Sequence, residues 1–91
     1  MKQNPDFTLR QIGAMYFLVP LANEHFRKDQ VLRTNETGAL LWQHMQTEST
    51  KKELLSAIQS TYDIDDATAL SDIDSFLMQL KNIGAVTGVI S

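Results

Sequence analysis

Apolar positions along this chain follow one rhythm before Asn35 and another after it. In Phe7-Thr8-Leu9-Arg10-Gln11-Ile12 the run opens with apolar residues at Phe7 and Leu9, the alternation of a half-buried strand. Gly13-Ala14 then offers a tight turn into Met15-Tyr16-Phe17-Leu18-Val19-Pro20, so the pair reads as a β-hairpin. The second run is apolar on both alternations, which predicts a central strand with both faces covered. Pro20 ends it, because proline has no amide hydrogen to donate. The polar segment from Ala22 to Gln30 reads as a loop. Val31-Leu32-Arg33-Thr34 reads as a third strand at the sheet edge, since only helical patterns follow it.

After Asn35 the period lengthens. The Asn35 side chain can accept a hydrogen bond from an early free amide, and Glu36 suits the positive end of a helix. Gly38, Leu41, Trp42 and Met45 then fall on one face of a first helix running to about Gln46. Thr50-Lys51-Lys52-Glu53 matches the capping box and predicts a second helix with Leu54, Leu55 and Ile58 facing inward and Tyr62 near its end. Asp65 can cap a third, with Ala69, Leu70, Ile73, Phe76, Leu77, Leu80 and Ile83 apolar, stopping where Gly84 can adopt a left-handed conformation. At about 100° per residue these apolar side chains cover an arc of roughly 140°, more than one neighbouring layer requires. The tail from Ala85 to Ser91 is compatible with a short strand or with fraying. The order supports an α+β domain of winged helix-turn-helix type, a three-stranded antiparallel sheet followed by three helices, as a single unit over residues 1–91.

Composition narrows the chemistry. With 91 residues, 43% of them hydrophobic, the chain can bury one core. It contains no cysteine, which removes disulfides, thiolate zinc sites and a cysteine nucleophile. His25 and His44 lie far apart without cysteine partners, so no metal site is expected. No glycine-rich phosphate loop, nucleophile motif or cofactor signature occurs, and the expectation is a protein that is not an enzyme and holds no cofactor. No stretch reaches the roughly 20 apolar residues of a membrane span, and MKQNPDFTLR is polar, so a cytoplasmic protein is expected. The net charge is -3, and Asp63, Asp65, Asp66, Asp72 and Asp74 form a stretch without a basic residue.

The ordered set of segments resembles the PqqD-like family. Phe7-Thr8-Leu9-Arg10 with Ile12, then Tyr16 and Leu18-Val19-Pro20, are similar to the opening strands of one branch of it. Val31-Leu32-Arg33-Thr34-Asn35-Glu36-Thr37-Gly38-Ala39 resembles its strand-to-helix junction. Thr50, Glu53-Leu54 and Tyr62-Asp63 fall where its second helix begins and ends, and Asp72-Ile73, Phe76-Leu77, Leu80 and Gly84 match its third. One departure is Met45-Gln46-Thr47-Glu48-Ser49, where many members carry an Asp-Gly turn. The resemblance implies a peptide chaperone, or RiPP recognition element, that presents the leader of a ribosomally made precursor peptide to a partner enzyme, often a radical S-adenosylmethionine enzyme. In that family the leader adds as a strand to the third β-strand and packs against the third helix.

A physical reading converges on the same surface. An edge strand offers unpaired amides and carbonyls to an extended peptide, so Gln30, Val31, Leu32, Arg33 and Thr34 are candidate pairing residues. Ala69, Ile73 and Phe76 on the surplus flank of the third helix are candidates for apolar leader side chains, with Asp72 and Gln79 for polar or basic ones. Each has a plainer reading: the helical stripe as core, Arg33 as a solvated edge charge, Asn35 as a cap. Two alternatives remain, a winged-helix DNA-binding protein and a dimerising interaction module using the same edge. The acidity of the third helix weighs against the first, because phosphate contacts require Lys or Arg.

Overall fold

The computed structural model describes residues 1–21 and 31–88. Its elements run β1 (Lys2–Gln3), β2 (Phe7–Ile12), β3 (Met15–Pro20), β4 (Leu32–Thr34), α1 (Glu36–His44), α2 (Lys51–Thr61), α3 (Asp66–Ile83) and β5 (Val86–Thr87). The segment expected as a loop from Ala22 to Gln30 lies outside the described residues.

β2, β3 and β4 form an antiparallel sheet with β3 in the middle. Gly13, at φ 61°, takes the left-handed turn conformation that an L side chain resists, and so closes the hairpin. The register sets Leu9 opposite Leu18 and Leu18 opposite Leu32, one row across all three strands on the face turned to the helices. Leu18 is fully buried there, with Leu9 and Leu32 packed against the core. The expectation that both faces of β3 are covered is not met: Met15 is exposed, and Phe17 and Val19 are half-buried on the other face. That apolar run reflects one core face and one partly solvated face. β4 is also shorter than expected, because Val31 lies outside it.

The helical caps form as the sequence indicates. Asn35 Oδ1 accepts from Gly38 N at 2.9 Å, and Thr50 and Glu53 make the reciprocal capping box. Asp65 accepts from Thr68 N, and the hydrogen bond from the Thr68 side chain, followed by that from its amide, lowers the carboxyl pKa. The cap's contribution is therefore present above the ordinary aspartate pKa and is lost as pH falls through the depressed value. Gly84 ends α3 at φ 75°. Leu41, Trp42 and Met45 of α1, Leu54 and Ile58 of α2, and Ile73, Leu77 and Leu80 of α3 converge in one core. Leu70 leaves the expected apolar stripe and is exposed.

Two features were not legible in the sequence. β1 pairs with β5, so the beginning and the tail of the described chain close a second, two-stranded ladder, and Met1 is buried. The α1–α2 connection, read in the sequence as a departure at Met45 to Ser49, is pinned by Ser49. Ser49 is buried, its hydroxyl donates to Thr47 O, and its amide donates to Met1 O at 2.8 Å.

Candidate functional site

Among the described residues β4 has β3 on one side only and α3 packed near it, and its other edge lies beside a groove. At the Thr34 end this groove widens into a cavity of about 540 Å³. Four elements build it: Arg33 and Thr34 of β4, the first turn of α1 from Asn35 to Gly38, the α3 residues Asp72, Ser75, Phe76 and Gln79, and Ala14 and Met15 of the hairpin. Helical spacing explains the α3 contribution, since Asp72, Ser75, Phe76 and Gln79 lie three or four residues apart on one face.

Gly38 makes this close approach possible. A Cβ there would lie 1.9 Å from Thr34 Oγ1, 3.1 Å from Thr34 Cβ and 3.2 Å from Phe76 Cε1. Three elements therefore meet where only hydrogen fits. Replacing Gly38 with alanine should force Thr34 and Phe76 apart, with an overpacking cost of about 1–3 kcal/mol. A thermal melt should show a lower Tm, and nuclear magnetic resonance shifts should cluster at Thr34 and Phe76. An unchanged melt would show that the junction has slack.

The cavity is polar at its rim and apolar at its floor. Glu36 and Asp72 bring carboxylates, while Phe76 and Leu41 are buried beneath. Tyr62 stands behind Glu36: burial first, and then the hydrogen bond and charge of Glu36, push its phenol above the ordinary value.

Of the residues expected to bind, Arg33, Thr34, Asp72, Phe76 and Gln79 meet at this cavity. Leu32 is half-buried against the core and Val31 is exposed just before the edge. Ala69 and Ile73, expected on the ligand-facing flank, have no exposed surface; they seat α3 in the core instead. Gln30 lies outside the described residues. Sequence reasoning passed over Ser75, which its spacing from Asp72 and Gln79 would have placed on the same face. It also passed over Ala14 and Met15, which only the folded hairpin delivers.

The arrangement is poorly suited to duplex DNA. Asp66, Asp72 and Asp74 are exposed on α3, and Lys51, at the start of α2, is engaged by Asp74 at 2.7 Å. Among the described residues no group of three His, Asp or Glu side chains is placed to hold a metal ion, and no helix is long and apolar enough to cross a membrane.

Two solved structures share this architecture. One, described as TbiB1 in complex with the TbiA(beta) leader peptide, is similar with a TM-score of 0.75 and 21% identity, covering 100% of both chains. The other, lasso peptide synthetase B1 complexed with the leader peptide, gives a TM-score of 0.70 and 18% identity, with 96% of each chain covered. No curated protein matches the sequence. The family described as coenzyme PQQ synthesis protein D (PqqD) matches residues 21–86, across α1, α2, α3 and the β4 edge they frame, and the chain belongs to that family.

Proposed function

We propose that this chain binds the leader segment of a ribosomally synthesised precursor peptide by strand addition to β4 and presents it to a modifying enzyme. The observation that carries this reading is the edge of β4, unpaired among the described residues, lying beside the groove that α3 walls. An extended peptide paired to β4 gains main-chain hydrogen bonds from the edge, and its alternate side chains point toward α3. The two similar structures are themselves described as leader-peptide complexes, which supports the same assignment.

The three residues of β4 span about 10 Å, so the backbone pairing is short and specificity rests on the groove. Phe76 offers an apolar floor, Asp72 and Glu36 suit a cationic leader side chain, and Gln79 suits a neutral polar one. In this reading the domain is not a catalyst and uses no cofactor: it supplies binding and orientation, and the partner supplies the chemistry. The same reading places the protein in the cytoplasm, with a radical S-adenosylmethionine enzyme as one such partner.

The test is a titration of the domain with the leader region of a candidate precursor peptide, followed by amide shifts. Changes concentrated at Leu32 to Thr34 and at Asp72 to Gln79 are expected. Saturating shifts confined to α2 and the α1–α2 connection would overturn the assignment.

A further inference from the structure

We propose that the outer face of the three-stranded sheet is a second docking surface, which seats an acidic, partly apolar patch of the partner protein that receives the peptide. The choice of partner rests on the leader-binding reading above; the surface itself rests on the register. Arg10 is paired with Phe17, and Phe17 with Arg33, so one cross-strand row sets an arginine on each side of Phe17. The neighbouring row pairs Ile12 with Met15, and these are 64% and 38% exposed. None of these five residues belongs to the core, which takes Leu9, Leu18 and Leu32 from the opposite face.

Charge decides what fits. The chain carries a net charge of -3, yet β2, β3 and β4 contain two arginines and no acidic residue. Exposed acids flank the sheet at Asp6 and Glu36 and stand on α3 at Asp66, Asp72 and Asp74, outside the three strands themselves. Two arginines on an acidic chain are far short of the phosphate contacts that hold nucleic acid. A twofold dimer through this face would set the arginine rows of the two copies against each other. Carboxylates around an apolar centre complement it, steering the encounter and then burying Ile12, Met15 and part of Phe17.

Position fits the same partner. Arg33 stands on the outer face of the strand whose edge lies beside the groove, so a protein seated there touches the strand that carries the peptide without occupying its edge. Met15 and Arg33 border both surfaces, so the two ligands sit side by side.

The test uses a random dodecapeptide library displayed on phage and selected on the full chain. Enriched peptides are expected to set Asp or Glu around apolar residues and to shift the amides of Arg10, Phe17 and Arg33. Arg10→Glu should weaken them roughly tenfold. Ile12→Ser, at an exposed position, should weaken them without unfolding the hairpin. Neither variant should change the leader titration. Enrichment without an acidic bias, shifts at Asp72 and Gln79 instead, or affinity unchanged in Arg10→Glu would each overturn the proposal. So would concentration-dependent dimerisation that Arg10→Glu abolishes, because the face would then be a contact between copies. Failure of the leader reading would show separately, as an absent response at the β4 edge while the selected peptides still bind the outer face.

Discussion

One of the two variants Leu32→Pro and Arg33→Pro is expected to lose leader binding with the sheet intact, while the other loosens the sheet itself. In an antiparallel pair a residue either exchanges both its N–H and C=O with the partner strand or turns both away, and successive residues alternate. Leu18 faces Leu32 and Phe17 faces Arg33, so these adjacent β4 residues differ in where their amides point. Proline removes the N–H and adds a ring on the same side. At the outward-pointing residue the loss falls on the peptide, on the order of 2–3 kcal/mol, or roughly 30- to 150-fold in Kd. At the inward-pointing residue it falls on the β3–β4 ladder and appears as faster amide exchange. Leu32→Ala separates the loss of the leucine side chain, which packs against the core, from the loss of its amide. If both proline variants fold and bind a leader as the parent does, strand addition at β4 is excluded.

The largest effect on stability is expected from Trp42→Ala. Trp42 is 3% exposed on the inner face of α1, and its carbonyl accepts from Gln3 Nε2 at 2.7 Å, so it joins the helical core to the β1 segment. Truncating a buried tryptophan costs about 3–5 kcal/mol. A domain of this length holds roughly 5–14 kcal/mol in total. Far-UV circular dichroism should therefore show a Tm lower by about 12 °C or more, against a small change for Leu70→Ala at its exposed position. Equal shifts for the two would mean that the core is not organised around α1.

The caps illustrate what is local. Asn35, Thr50, Asp65 and Gly84 mark helix boundaries because each satisfies backbone groups within four residues, and the structure adds little to them. Trp42, Leu54 and Leu80 were identifiable as core for a similar reason: a period near 3.6 leaves one face to bury. The ambiguity of Met15 to Val19 was of another kind. Alternation shows which residues share a face of a strand, and it does not show whether a helix covers that face.

The candidate site divides along the same line. Arg33, Thr34, Asp72, Phe76 and Gln79 were identifiable from an edge strand and an overwide apolar arc. Ala69 and Ile73 belong to the same arc but lie in the core, since the rotation of α3 about its axis is set by contacts with β4 and α2. The cavity's size depends on Gly38, whose missing Cβ admits Thr34 and Phe76 from elements far apart in sequence.

By itself, then, the sequence determined the three strands from Phe7 to Thr34, the three helices with their caps, the edge position of the third strand and the acidic character of α3, all of which arise from neighbours a few residues apart. The pairing of β1 with β5, the burial of Met1 and Ser49, the depth of the groove at Gly38 and the arginine–phenylalanine row on the outer sheet were decided only by tertiary structure. Each depends on residues brought together from distant parts of the chain, and the free energy of such contacts exists only once the chain between them has been ordered.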